Sequence, residues 1–473
     1  MATSPAPGTG NRPPLKRVLG LWMATALVVG NMIGSGVFSL PSALAGIGPV
    51  SLLGWVLTGV GSVLLAIVFA SLARAYPRTG GPYAYARRAF GDFMGFWTAW
   101  GYWIAVWAGN AAIATSFVAY LAVFWPAAGS NHVLAAVLAA SAVWVVTLVN
   151  IAGAREGGLV QLVTTVLKLV PLALVGLVGL LYMDGGNFTP FAPGVDGPRS
   201  ALSTISTAGA LTLWAFIGLE SATVPAEEVR DPKRTLARAT IIGTLVTTLV
   251  YIVATVAVMG VVPTATLTTS ASPFADAAHI MFGGGWDKVV AAVAVISTLG
   301  ALNGWIMLQG RVPLAAAEDG LFPRSFAQVS PRGTPVFGLV VSSILVTVLV
   351  GSSYNGSLVE VFTQVILLAT LTTVVPYAFS AAAQLLMLVR EPELFEPGRA
   401  LRDAVIALLA FGYSFWMVYG AGEETVAKGF LLLLAGVPVY IWLRYEQRRR
   451  AERPAPLVKA VDQLPVATST DGR

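Results

Sequence analysis

Gly30-Asn31-Met32-Ile33-Gly34-Ser35-Gly36 lies in the middle of a mostly apolar stretch that runs from Val18 to Ala45. A stretch of that length can cross a bilayer, for which ~20 apolar residues suffice. Yet three glycines and a serine at its centre hold helix poorly, because glycine costs roughly 1 kcal/mol against alanine there. The sequence therefore predicts a membrane helix broken near mid-depth. Backbone left unpaired at that depth persists only where it is buried in protein or lines a cavity. Broken helices of this kind build substrate sites in secondary transporters. The spacing Gly30…Gly34 also fits a glycine-lined helix-packing face, so the residues alone leave both readings open.

The rest of the chain gives that segment its setting. Of 473 residues, 56% are hydrophobic and only 11% charged, against about 25% charged in a typical soluble domain. Apolar segments run over 18–46, 49–74, 92–125, 133–153, 158–182, 201–226, 237–262, 285–316, 335–352, 357–389, 403–421 and 426–444. They are apolar all round rather than alternating over ~10 positions, which predicts helices and not the strands of a membrane barrel. The expected fold is an all-α polytopic membrane protein with twelve transmembrane helices. Residues 1–14 and 446–473 are polar and rich in proline or charge, and are expected as disordered tails.

The cations test that topology. Twelve spans put both termini on one side, and of 29 Lys and Arg only Arg199, Lys288 and Lys428 fall on the other, with Lys168 inside the fifth span. The positive-inside rule then places both termini in the cytoplasm of a bacterial-type inner membrane. The net charge of +6 is explained by this asymmetry and implies no nucleic acid partner. With no cysteine, disulfides, thiolate metal sites and cysteine nucleophiles are excluded, and a structural metal site or a histidine triad is hard to assemble from His132 and His279, both in stretches that read as loops or helix ends. No cofactor or metal is implied. A membrane-embedded enzyme would need a catalytic cluster at membrane depth, where Glu220 and Lys168 stand almost alone. A channel would need polar elements along a continuous path, whereas here polarity gathers near the midpoint.

A second weak point falls in span 6, at Phe216-Ile217-Gly218-Leu219-Glu220-Ser221, preceded by Trp214. Spans 1 and 6 open two successive groups of five helices, 15–200 and 201–390, with two more helices in 391–445. Five is odd, so the second group is inverted relative to the first. Paired interrupted segments in matching positions point to a transporter binding site. A helix restarting after Gly36 would offer free N–H groups and the positive end of its dipole to a carboxylate. The carbonyls ending the first half of span 6 would accept from an ammonium. Together these describe an α-amino acid as the small-molecule ligand. Glu220 and Trp214 also fit plain structural roles, as a hydrogen-bond partner and as core.

Several longer motifs occur in order: Gly30 through Gly36 continuing to Val37-Phe38; Gly80-Gly81-Pro82-Tyr83-Ala84-Tyr85-Ala86-Arg87-Arg88; Thr212-Leu213-Trp214-Ala215-Phe216-Ile217-Gly218-Leu219-Glu220-Ser221; Asp231-Pro232-Lys233-Arg234; and Ala317-Glu318-Asp319-Gly320-Leu321-Phe322-Pro323. Over roughly residues 16–445 the chain resembles the amino acid–polyamine–organocation transporter superfamily, and within it the arginine–agmatine antiporters. The resemblance implies two inverted five-helix repeats plus two helices, helices 1 and 6 being broken at mid-membrane. It implies a substrate site made by Asn31, Ile33, Gly34, Ser35 and Gly36, with Ser35 and Gly36 on the carboxylate. The carbonyls of Trp214 and Ile217 would take the ammonium, and Trp214 would stack on the side chain. Asn110 and the backbone at Ala105 and Val106 would meet its far end. Trp305 would close the site and Tyr102 would help gate it. The family includes dimers, which makes a homodimer one expected state.

Two departures qualify the substrate. Leu367 stands where those antiporters have a hydroxyl contact, which leaves smaller or neutral amino acids open. Lys168 instead resembles the span-5 lysine of proton-coupled members of the superfamily. It reads as a coupling group, as a fixed cationic strut against span 1, or as a lysine snorkelling to the surface. Glu220 likewise reads as a pH sensor or as an orienting group. Exchange of a cationic amino acid for its decarboxylated amine is the expected function, with proton-coupled uptake through Lys168 as the alternative.

Overall fold

The computed structural model describes residues 20–77, 80–152, 168–169, 172–223 and 229–452. Every element in them is helical. Among the described residues ten helices are long and apolar enough to cross a membrane. They coincide with ten of the twelve segments read from the sequence. The fifth segment lies largely outside the described residues, with Lys168, Leu169 and 172–179 helical within it. The sixth is too interrupted to form one helix of spanning length.

The first span is two helices, α1 (Leu21–Met32) and α2 (Ser35–Ala45). Ile33 is extended (φ −75°, ψ 95°) and Gly34 leaves helical space altogether (φ −139°, ψ −137°), so the break falls on the glycine-rich centre. Then follow α3 (Leu52–Ala75), α4 (Pro82–Phe90), α5 (Asp92–Leu121) and α6 (His132–Ile151). The sixth span opens with α7 (Pro198–Leu213) and tightens into a 3-10 turn at Trp214–Phe216. It turns out of helix at Ile217 (ψ 129°) and Gly218. Gly218 has φ +109°, a backbone state that side chains resist. A second 3-10 turn follows at Ser221–Thr223. The remaining long elements are α8 (Pro232–Val261), α9 (Pro273–Phe282), α10 (Trp286–Glu318), α11 (Val336–Ser353), α12 (Leu358–Arg390) and α13 (Ala400–Gly420). The last span is α14 (Glu423–Leu434) and α15 (Gly436–Ala451). The indoles of Trp97 and Trp100 donate to the carbonyls of Leu433 and Leu432 where α14 ends. Residues 446–451, read as tail from their polarity, continue α15, where Glu446 pairs with Arg450 and Arg448 with Glu452 at i,i+4 spacing.

The helices pack in two groups. In one, α3 lies against α8 and α7, and α1 against α8. In the other, α5 lies against α10, α6 against α10 and α11, and α12 against α5. Small residues allow the close approaches: a Cβ on Gly59 would sit 2.6 Å from Thr248, and one on Gly243 2.7 Å from Val28.

What stabilises the break is the fate of four carbonyls. The last turn of a helix leaves four C=O groups without intrahelical partners, and none can be left to lipid. At the end of α1, Val29 accepts from the Ile33 amide at 2.8 Å. Gly30 accepts from Lys168 Nζ at 3.1 Å. Asn31 faces the Trp305 indole N–H at a long 3.4 Å. Met32 accepts from the Tyr251 hydroxyl at 2.6 Å. The same hydroxyl lies 2.9 Å from the Ala215 carbonyl in the broken part of span 6, so its one proton serves both breaks.

Tyr251→Phe keeps the ring against Trp55 and Phe216 (centroids 5.1 and 5.5 Å) and deletes only this donor. It is expected to lower stability by about 1–3 kcal/mol, the penalty of a stranded buried acceptor. Thermal unfolding of purified protein in detergent checks this; an unchanged midpoint would mean the hydroxyl holds neither break.

Candidate functional site

The two breaks face one another across a cavity of about 20 Å³. Of the residues singled out from the sequence, Asn31, Gly34, Ser35, Gly36, Trp214, Ile217 and Trp305 line it, together with Met32 and Ile113. Ser35 and Gly36 are the first residues of α2, so their amides carry no intrahelical bond and lie at the positive end of its dipole. The Ser35 hydroxyl is buried with no hydrogen-bond partner. Across the cavity stand the interrupted turns of span 6. A Cβ on Gly36 would come within 2.9 Å of Ala215 Cβ and 3.3 Å of Trp214 Cδ1. The breaks therefore touch through a residue that has no side chain. Trp214 in turn lies on Gly109 of α5, where a Cβ would meet its ring at 2.8 Å.

Other singled-out residues sit behind these walls. Ile33 is the extended residue of the break and is fully buried. Ala105, Val106, Tyr102 and Asn110 are buried along α5. The Tyr102 hydroxyl donates to Glu220 Oε1. Glu220 also takes the Tyr377 hydroxyl at 2.5 Å and the Gly218 amide at 3.2 Å on Oε2. One buried carboxylate thus ties the break in span 6 to α5 and to α12. Lys168 is buried against α1 at Gly30, a cation at a helix C-terminus, where the dipole favours positive charge.

Asn110 heads a directed chain of hydrogen bonds. Its Nδ2 donates to Gln309 Oε1 at 2.7 Å. Gln309 Nε2 faces Ser343 Oγ at 2.9 Å and the Leu339 carbonyl at 3.4 Å. Ser343 and Thr147 hydroxyls are 2.7 Å apart, and Thr147 donates to the Val143 carbonyl at 2.7 Å. A carbonyl can only accept. Thr147 therefore spends its proton on Val143, Ser343 must donate to Thr147, and Gln309 must turn its NH₂ toward Ser343 and its oxygen toward Asn110. The atom of Asn110 left over is Oδ1, an acceptor, buried and without a partner.

Sequence reasoning did not single out Tyr251, Tyr377, Gln309, Thr147, Ser343, Met32 or Ile113. The amide of Gln309 inside an apolar span was a usable signal. The tyrosines were not, since aromatic residues in apolar helices are ordinary core. Beyond the cavity lining stand further polar contacts: the Glu220 cluster, Tyr120, whose hydroxyl donates to the Phe38 carbonyl at 2.7 Å, and the Ser39 and Ser116 hydroxyls, 2.7 Å apart. Among the described residues no group of three His, Cys, Asp or Glu could hold a metal ion.

The sequence profile of the amino acid permease family matches residues 19–441. The arginine/ornithine antiporter of Pseudomonas aeruginosa is 34% identical over 441 residues, covering 90% of this chain and 91% of that one. The cadaverine/lysine antiporter of Escherichia coli K12 is 35% identical over 441 residues, covering 91% and 96%. A crystal structure of the Eremococcus coleocola manganese transporter, in complex with an aromatic bis-isothiourea compound, superposes with a TM-score of 0.56. It covers 91% of this chain and 95% of its own at 12% identity, a likeness of fold alone.

Gly36→Ala is expected to weaken binding of a zwitterionic ligand at least about tenfold, because the methyl meets backbone and forces the breaks apart. Gly34→Ala, whose methyl would meet only Ala301 Cβ at 3.4 Å, should have a smaller effect. Ligand-dependent thermal stabilisation of the two variants checks the order; equal loss would place the tight contact elsewhere.

Proposed function

The chain belongs to the amino acid permease family, a family of transporters and not of enzymes, and from that premise we propose that it exchanges a cationic amino acid for another cationic amino acid or amine. The observation that carries this reading is the meeting of two broken helices at one cavity. The Ser35–Gly36 amide end receives the carboxylate. The carbonyls of Trp214 and Ile217 receive the α-ammonium. Trp214 lies along the side chain, where a cation is attracted to the indole face by roughly 0.5–2 kcal/mol depending on desolvation. Asn110 does not line the cavity as it stands; once the walls part, its Oδ1 would offer the far end an acceptor alone, which suits a guanidinium or ammonium and would leave a neutral apolar side chain against an unpaired oxygen. The relatives' names, arginine/ornithine and cadaverine/lysine, lie on the same side of that choice.

The transport cycle follows from the smallness of the cavity. About 20 Å³ is room for roughly one water, so substrate enters only when the walls part. The helices carrying the breaks, with α3 and α8, rock against the group built on α5, α6, α10 and α11. This motion fits a twelve-span plan of two inverted five-helix repeats (15–200 and 201–390), a plan supported by the packing of the second span on the seventh and of the third on the eighth. Both termini lie in the cytoplasm of a cell inner membrane. Trp305 closes the site beside Asn31, and the Tyr102–Glu220–Tyr377 cluster is the gate on the cytoplasmic side. Exchange arises if the empty carrier reorients slowly.

A second reading is favoured by one contact. Lys168 at the Gly30 carbonyl could release its proton in one conformation and couple uptake to protons, instead of acting as a strut. In proteoliposomes, Lys168→Ala should leave any pH dependence of exchange unchanged if the lysine is a strut; loss of that dependence would transfer the proposal to proton coupling.

Counterflow of labelled arginine into vesicles loaded with arginine, ornithine, lysine, cadaverine, alanine or leucine tests the main reading. The cationic lumenal species should drive it and the neutral ones should not; equal exchange by leucine overturns it. Thr147→Val removes the anchor of the hydrogen-bond chain without touching the cavity. Ser343 and Gln309 are then free to reverse, and the preference for cationic over neutral substrate should fall about tenfold, one hydrogen bond's worth. An unchanged preference would sever Asn110 orientation from selectivity.

A further inference from the structure

A second cavity, of about 480 Å³, lies far from the central one at the ends of the helices. Three arginines line it: Arg74 from the last turn of α3, and Arg234 and Arg238 from the first two turns of α8. Its other wall is the segment after α12, with Leu394, Phe395 and Glu396. Its volume is in the range of small-ligand sites. Glu396 does not neutralise it, because that carboxylate pairs with Arg399. Among the described residues none of the three arginines forms an ion pair with a carboxylate. Arg234 also stands at the end of a helix where the dipole disfavours cations. A topology signal needs positive charge on this side of the membrane. It does not need three guanidinium groups from two helices turned into one concavity beside an apolar wall.

We infer that this pocket binds the phosphate of an anionic phospholipid headgroup from the adjoining leaflet. Guanidinium forks match phosphate oxygens bidentately. Leu394, which is 37% exposed, and Phe395 offer the glycerol and upper acyl chain an apolar surface beside that phosphate. The charge asymmetry of the loops turns the pocket toward the cytoplasmic leaflet, where anionic lipids attract juxtamembrane basic clusters. The position has a mechanical meaning. α3 and α8 belong to one packed group, while 392–397 follows α12, which packs on α5 of the other. A lipid held by all three segments links the two groups at their membrane edge and sets how readily they part.

Native mass spectrometry and thermal shift on the purified full-length protein test this, with phosphatidylglycerol, phosphatidylcholine and inorganic phosphate as separate probes. Phosphatidylglycerol should be retained and stabilise the protein, with phosphatidylcholine weaker by about tenfold or more. Inorganic phosphate at millimolar concentration should neither stabilise nor displace the lipid; stabilisation by phosphate equal to that by phosphatidylglycerol overturns the lipid assignment. The triple substitution Arg74→Gln, Arg234→Gln, Arg238→Gln should abolish the preference, and retention of it overturns the site. Should that variant fail to fold, the Arg→Lys version keeps the charge without the fork and should lose at least part of the preference; undiminished preference there counts against the site equally. Arg311→Gln on the same face, outside the pocket, should bind as the parent does. None of these readouts requires transport, so the pocket and the exchange reading stand or fall separately.

Discussion

Four carbonyls at the end of α1 decide what the rest of this molecule must do. A helix that stops inside the membrane exposes peptide oxygens where no water can meet them. The chain answers with one backbone amide and with donors from Lys168, Tyr251 and Trp305, residues brought by three other helices. Each donor is therefore also a packing constraint. The fifth, seventh and eighth spans must stand where their side chains reach the same turn, and the two packed helix groups meet around that turn. Span 6 meets the same demand differently. It closes short 3-10 turns on itself and hands its side-chain work to Glu220, which gathers a backbone amide and two tyrosines.

The chemistry of the site is what those solutions leave over. Satisfying the carbonyl end of α1 leaves the amide end of α2 facing the cavity, with the unpaired Ser35 hydroxyl beside it. Orienting Gln309 through Ser343 and Thr147 leaves Asn110 with a lone acceptor. Recognition here is built from incompleteness. Among the buried polar atoms left without a partner, the Ser35 hydroxyl lines the cavity and Asn110 Oδ1 lies behind it.

The break in span 1 was legible because it is a local matter of helix propensity, written in consecutive glycines. The same holds for the weaker break at Gly218, for the ten spanning helices and for the convergence of Ser35, Gly36, Trp214 and Trp305. The partners were not legible. Tyr251 reaches Met32 across 219 residues, Gln309 reaches Asn110 across 199, and Tyr377 reaches Glu220 across 157. Periodicity reports which face of a helix is apolar, not which distant hydroxyl stands opposite. The end of the last span was misjudged for a related reason. Polarity after Glu446 reads as tail, but a helix leaving the bilayer can persist on paired charges.

The smallness of the cavity has one more consequence. With space for about a single water between Trp214, Trp305 and the two breaks, the gap between the breaks holds no file of several waters. Across that gap a proton has no row of waters to hop along, and a small ion has no room for its hydration shell. The gap between the breaks is thus the narrow point at which leakage through the site is resisted, and the membrane gradient is spared there.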